Sequence, residues 1–340
     1  MLVVWQHSSE IFNHLPAVAA NGTFLADVAW SLDFGRIGVV CFFLISGFVI
    51  PYSFSAGDGA LKKFVIRRFF RLYPVYWISV ILAATATYLF WGTVFEPGAL
   101  LANFTMLQKF FDEPHIQGLY WTLQAEVIFY VICAGMFATG ILHKKAFQIG
   151  ACVLSLGLFL VISVLKSKTS LINDLDKELA YIPYVIAIMF SGTILRSWLF
   201  EEKSKLTDHF SLLAPLLVFG LPIGVLLLYF LGANVSEAPT RFFFGHVLGV
   251  ALFFIGYYTL NVKSSALLWL GAVSYSVYLF HPIVMNFVYW SVLQEWASSF
   301  AALHMSVYIG VIAALTFLVS LMFYKLVEQP SISIGRRLSQ

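Results

Sequence analysis

Three arginines, one histidine and one glutamate are the residues of this sequence best suited to chemistry. Arg67, Arg68 and Arg71 stand in F-V-I-R-R-F-F-R-L-Y-P-V-Y-W, Phe64 to Trp77, at the start of a long apolar run. On a helix, Arg68 and Arg71 are three apart and Arg67 and Arg71 four apart, so all three crowd one side. Guanidinium groups at that density beside hydrocarbon require water, lipid headgroups or an anionic ligand to receive them. Two readings follow. Basic residues flank membrane spans on the cytoplasmic side, and Arg forks match phosphate oxygens bidentately. The cluster is a topology signal or a phosphate-binding rim.

His7 sits in the first apolar run, V-V-W-Q-H-S-S-E-I-F. An ionisable side chain in such a run is a functional candidate, and imidazole is the usual proton acceptor near neutral pH. The bland alternative is a buried histidine satisfied by a neighbouring hydroxyl or carbonyl. Ser8, Ser9 and Glu10 make the local run polar, which favours a face lined by water or substrate. Glu126, in G-L-Y-W-T-L-Q-A-E-V-I-F-Y, is the one carboxylate expected deep inside the later spans. Ionised and unpaired there it would cost several kcal/mol, so it needs a proton or a partner: an arginine, His7 or a Tyr hydroxyl. A structural ion pair is the competing role. His281, in Y-S-V-Y-L-F-H-P, precedes a proline that frees a carbonyl, and a structural role is expected for it. Ser46 and the glycines Gly35, Gly38 and Gly47 permit close helix approach. The three cysteines lie in apolar runs without metal-ligand spacing.

What positions these residues is a membrane protein. Of 340 residues, 60% are hydrophobic and 11% charged, against about half and about a quarter in soluble domains. The net charge of +3 does not call for a nucleic-acid partner. The fold class is all-α and polytopic, with about ten transmembrane helices, over approximately 1–13, 36–53, 73–92, 119–142, 147–165, 180–198, 211–231, 243–260, 266–291 and 305–326. No linker divides the chain, so 1–340 is read as one membrane-embedded domain. Fourteen of the 20 Lys and Arg fall on one set of alternate connections, the tail 327–340 and adjoining span ends; five fall on the other set, and Arg36 is at a boundary. By the positive-inside rule, both termini and the arginine cluster are cytoplasmic. The first run is too short, covering about 18 Å at helical rise, and an upstream start carrying an Arg or Lys is expected.

Several segments together resemble the acyltransferase 3 family of multi-pass membrane acyltransferases. They are His7 with its polar run, G-R-x-G-V-x-x-F-F-x-x-S-G-F, R-R-F-F-R-L-Y-P-V-Y-W, Y-W-T-L-x-x-E-x-x-F-Y, S-Y-S-V-Y-L-F-H-P, F-Y-K-L-V-E-Q-P and G-R-R-L. Each is a weak pattern; their order along nearly the whole chain makes the resemblance specific. It implies transfer of an acyl group, most often acetyl, from cytoplasmic acyl-CoA to a carbohydrate hydroxyl at or across the inner membrane. It implies that His7 is the essential first-helix histidine, that Arg68 and Arg71 are the R-x-x-R pair, with Arg67 beside them in a coenzyme A rim, and that Glu126 is the family's glutamate. No metal is implied. The chain departs from the family in lacking an Arg ahead of the histidine, in carrying Val40 where some members have an acid, and in having no soluble esterase-like domain after the last span. Either the membrane domain completes transfer to its carbohydrate or glycolipid acceptor, or a separate partner does. A glycolipid or polysaccharide carrier, with His, Glu and Arg as a proton relay or headgroup site, is the rival from another class, and a non-catalytic scaffold is a third.

Overall fold

The computed structural model describes residues 1–55, 57–168, 174–200, 211–232, 238–259 and 264–340. Within them the chain is all α. The helices of eight residues or more are α1 Leu2–Phe12, α2 Phe24–Leu32, α3 Phe34–Val49, α4 Ala60–Trp91, α5 Pro97–Phe104, α6 Tyr120–Ala138, α7 Lys145–Lys168, α8 Lys177–Phe200, α9 Leu213–Phe230, α10 Pro239–Thr259, α11 Ser265–Val292, α12 Met305–Phe323 and α13 Gln329–Leu338. Nine stretches among the described residues are long and apolar enough to cross a bilayer. The expected number was ten, and the one that falls short is α1. Its 11 residues cover about 16 Å at helical rise, roughly half of the hydrocarbon thickness. Most of the expected basic connections 199–210 and 261–265 lies outside the described residues.

α3 is the centre of the bundle, and its small residues explain why. A Cβ on Gly47 would lie 1.7 Å from the Met189 carbonyl oxygen, and one on Gly192 would lie 2.3 Å from that of Leu44. The backbones of α3 and α8 therefore touch, an approach that side chains would forbid. Thr193 reinforces the crossing by donating its hydroxyl to the Gly47 carbonyl at 2.9 Å. On another face of α3, Gly38 leaves room for Val3 of α1. Phe43, Leu44, Tyr184, Met189 and Phe190 fill the buried core around the α3–α8 crossing.

Two features depart from the expected boundaries and both bear on function. The helix carrying the arginines starts at Ala60 and not near residue 73, so Arg67, Arg68 and Arg71 belong to the same rigid rod as the apolar run that follows. Pro74 lies inside that rod; Gly92, at φ 67°, ends it and returns its N–H to the Tyr88 carbonyl. At the other end of the chain, residues 327–340 form no simple tail. A π-helical turn over Tyr324–Glu328 joins α12 to α13 without a break, and α13 runs on antiparallel to the first part of α4, where Phe70 lies against Gly335.

Candidate active site

Three cavities lie in line through the bundle and share their dividing walls. The first, of about 660 Å³, is lined by His7, Asp33, Arg36, Gln117, Lys177 and Glu178 among others. The second, of about 320 Å³, holds Glu126, Tyr130 and Ser46 and meets the first at Val3, Val39, Thr122 and Tyr278. The third, of about 500 Å³, meets the second at Arg68 and Arg71. The helices give the same order. Along α4 the lining residues run from Arg67 through Leu72 to Ala83 and Thr87; α3, α6 and α11 step through the first two cavities in register with it. From Arg71 to Ala83 the helix rises about 18 Å.

At the first cavity, α1 presents His7 on the face away from its buried residues. Glu10, one turn on, brings Oε2 to 3.1 Å from His7 Nδ1, and Gln6 Nε2 donates to the other carboxylate oxygen at 2.6 Å. A carboxylate at Nδ1 keeps the proton there, which leaves Nε2 as the atom free to accept one. The ring of His281 stacks on that of His7, with centroids 5.7 Å apart and planes within 15°. His281 is buried, and its Nδ1 faces the carbonyls of Tyr278, at 2.8 Å, and Val277. Both are acceptors, so Nδ1 carries the hydrogen. The expected proline-associated structural role of His281 therefore has a second side: the ring also forms the platform for His7.

The rest of this cavity's wall is mixed in charge. Asp33, in the left-handed region at φ 55°, joins α2 to α3 and accepts the Arg36 N–H. Its carboxylate also faces the guanidinium groups of Arg36 at 3.5 Å and Arg241 at 3.6 Å. Across the cavity, Asp176 accepts the backbone N–H groups of Glu178 and Leu179 and pairs with Lys109 at 2.9 Å. Partial burial pushes the Asp176 carboxyl up, but Lys109 and the two N–H groups hold it below the usual carboxylate range. That capped turn fixes Lys177 and Glu178 on the wall.

Glu126 lies one level deeper, in the second cavity. The partner it takes from the expected set is a tyrosine: Tyr130, one helical turn on, donates its hydroxyl to Oε1 at 2.6 Å. Arg68 lies over the Tyr130 ring at 5.4 Å and the Phe64 ring at 5.6 Å. Carboxylate, phenol and guanidinium thus form a chain from Glu126 to the third cavity. Ser46, expected to be a packing residue, lines the Glu126 cavity as well.

Among the described residues, the third cavity is lined by Arg67, Arg68, Arg71 and Arg336 and has no acidic residue on its wall. The three cluster arginines are differently engaged. Arg67 Nε donates to the Ser339 hydroxyl at 2.8 Å. Arg71 is ion-paired with Glu328, whose second oxygen accepts the Ser276 hydroxyl. Arg68 makes ring contacts, and no acid or hydroxyl is seen against it among the described residues. Glu126 is consequently not the sole deep carboxylate: Glu328 is fully buried. It was placed in a tail by hydropathy, because the charged Lys325 and Glu328 end the apolar run. The π-turn redirects it inward, a local irregularity that sequence periodicity does not carry.

All five expected site residues therefore line one row of cavities. His7 and Glu126 do not share a cavity, and they do not touch. The members that sequence reasoning missed are Glu10, legible in hindsight as an i, i+3 partner of His7, and Glu328 and Arg336, which depend on the last helix continuing along α4.

The sequence model of the acyltransferase 3 family, described as an acyltransferase domain, matches residues 1–325. Among curated proteins, a nodulation protein 10 from Rhizobium leguminosarum bv. viciae is 27% identical over 157 residues, covering 40% of this chain and 41% of that protein. The match thus spans about two-fifths of that relative's length. No solved structure matches.

Proposed function

Since the chain belongs to the acyltransferase 3 family, and is by that membership an acyltransferase in a multi-pass membrane fold, we propose that it moves an acyl group, acetyl by preference, from cytoplasmic acyl-CoA to a hydroxyl of a cell-surface or exported carbohydrate. On this reading it resides in the inner membrane with both termini in the cytoplasm. One observation carries the proposal. Among the described residues, a cavity walled by four arginines and no acid stands in line with a cavity that holds an oriented histidine, with Glu126 between them.

The arginine cavity suits the phosphates of coenzyme A, since charge-assisted contacts to phosphate are strong and forked. An extended pantetheine arm spans the distance from there along α4 and brings the thioester toward His7. His7 Nε2 then takes the proton of the acceptor hydroxyl as its oxygen attacks the thioester carbonyl. The C–S bond breaks, the acyl group remains on the acceptor oxygen, and the imidazolium returns the proton to the departing thiolate. Glu10 stabilises the charged imidazolium and fixes the ring, as a carboxylate behind a catalytic histidine does. Glu126, tied to Tyr130, joins the passage to Arg68 and has a positioning role in this scheme.

The test is transfer of label from acyl-CoA by purified protein in proteoliposomes, read with acyl-ester content in a deletion strain complemented by the gene. The wild-type protein is expected to release free coenzyme A and to restore the ester. Release with neither label nor ester on carbohydrate would leave an acyl-CoA hydrolase and overturn the acceptor assignment. Full ester content with His7→Ala would overturn the mechanism.

A further inference from the structure

Two neutral polar side chains on spanning helices, Thr87 of α4 and Asn286 of α11, line the cavity that holds His7. Both are half-buried. Among the described residues neither has a hydrogen-bond partner. Their polar atoms are not sealed inside the protein, in contrast to the amide of Gln117 on the same wall. An unpaired amide or hydroxyl at membrane depth is costly unless water or a ligand receives it. These two open on the cavity, so whatever occupies the cavity must receive them.

Other polar side chains of the bundle are satisfied locally. Thr139, Thr193 and Thr259 each donate to the carbonyl four residues back, at 3.0, 3.3 and 2.6 Å. Thr87 makes no such bond to Ala83. The amides of Asn103 and Gln148 donate to the carbonyls of Ala99 at 2.8 Å and Leu142 at 2.9 Å. The positions of Thr87 and Asn286 are nevertheless fixed. Phe90, three residues after Thr87, stacks on Trp290, four after Asn286, with centroids 5.1 Å apart and planes within 23°. Phe90 also meets Phe287 at 5.9 Å. That aromatic contact clamps α4 to α11 one turn beyond the two polar groups. Asn286 lies about 7.5 Å along α11 from His281 at helical rise, and the His281 ring stacks on His7. Rigid backbone with unspent hydrogen-bonding capacity, one and a half turns from the reacting imidazole, is the arrangement expected of a ligand-reading position.

Resting on the carbohydrate-acyltransferase reading above, we infer that Asn286 and Thr87 form a binding subsite for a neutral acceptor saccharide, which they grip outward of the reacting hydroxyl and so select the position that is acylated. The Asn286 amide offers N–H donors and a C=O acceptor, and the Thr87 hydroxyl both donates and accepts. Together they match the mixed donors and acceptors of a saccharide and carry no charge to pair with an anion. Ala83, Ala86 and Ile283 line the same part of the cavity and give the C–H face of a sugar ring an apolar surface. With one end of the acceptor held at Asn286 and Thr87, the hydroxyl that reaches His7 is set by its distance from the held group.

The experiment uses full-length Asn286→Leu and Thr87→Val, which keep the side-chain shapes without their hydrogen-bonding groups. Each is expressed in a strain deleted for the gene, and alkali-labile ester on the exported carbohydrate is quantified and mapped. The purified variants are measured for acetyl-CoA affinity and for thermal midpoint in detergent. Asn286→Leu is expected to form ester about tenfold more slowly and Thr87→Val about threefold. Both should spread the residual ester over more than one hydroxyl, with acetyl-CoA affinity and midpoint as in the wild type. Wild-type rate at a single position in both variants would overturn the inference and leave the acyltransferase reading intact. A loss matched by an equal loss of acetyl-CoA affinity, or by a lowered midpoint, in both variants would mark a packing role and also overturn it. A wild-type gene that adds no ester to the deletion strain would sink the carbohydrate reading itself, and this inference with it.

Discussion

The two ends of the cavity row differ in how their charges are handled. At the His7 end acids and bases alternate: Glu10 faces His7, Asp33 faces Arg36 and Arg241, and Asp176 faces Lys109. At the other end, among the described residues, four arginines share a wall without an acid, and only Arg71 is matched by a carboxylate, from a residue behind the wall. An acid beside each base leaves little net field for an anion and favours a neutral partner. Unmatched guanidinium groups do the opposite: their mutual repulsion is relieved when a polyanion enters. On the proposed reading, one row of cavities serves a neutral, hydroxyl-rich acceptor at one end and the phosphates of the donor at the other.

Mutations that separate the two ends sharpen this contrast. The largest effect is expected from His7→Ala, which should cut transfer by at least about a hundredfold while the protein reaches the membrane at normal levels. Quantitative blotting with the ester assay checks both parts. Glu10→Gln keeps the shape and removes the charge behind the imidazole; a loss of about tenfold or more in turnover is expected, with the affinity for acyl-CoA unchanged.

The arginines divide by their partners. Arg68→Ala should weaken acyl-CoA binding by about tenfold or more, since each charge-assisted contact contributes on the order of 1.5–3 kcal/mol. Arg71→Ala should act through stability first. It strands the fully buried Glu328 without its cation, a change that costs about 3–5 kcal/mol in comparable settings. Thermal unfolding in detergent separates the cases: a fall in midpoint for Arg71→Ala, recovered in Arg71→Ala with Glu328→Gln, and little change for Arg68→Ala. Arg336 is exposed at the rim, and Arg336→Ala should cost only about two- to threefold in affinity.

The bundle was largely legible in the sequence because apolar length is a strong signal. Runs such as Leu213–Phe230 have few alternatives to a spanning helix. The five expected site residues were legible for a related reason: charge in a hydrocarbon setting is rare enough to stand out. What hydropathy could not carry was local geometry. It ended the last span near residue 326, where charge returns, and so missed the π-turn that carries Glu328 into the core and the continuation of the helix as α13 beside α4. It also treated His281 through its proline alone, since nothing in Y-L-F-H-P shows that α1 brings a second imidazole against it. Asn286 was passed over because an uncharged amide in a span looks ordinary until its surroundings are known to leave it unpaired.

Equilibrium binding of labelled acetyl-CoA to purified wild-type, His7→Ala and Arg68→Ala proteins tests the division of labour most directly. Binding by His7→Ala should equal that of the wild type while Arg68→Ala binds about tenfold or more weakly. Equal loss in the two variants, or undiminished binding by Arg68→Ala, would contradict the assignment of donor and acceptor to opposite ends.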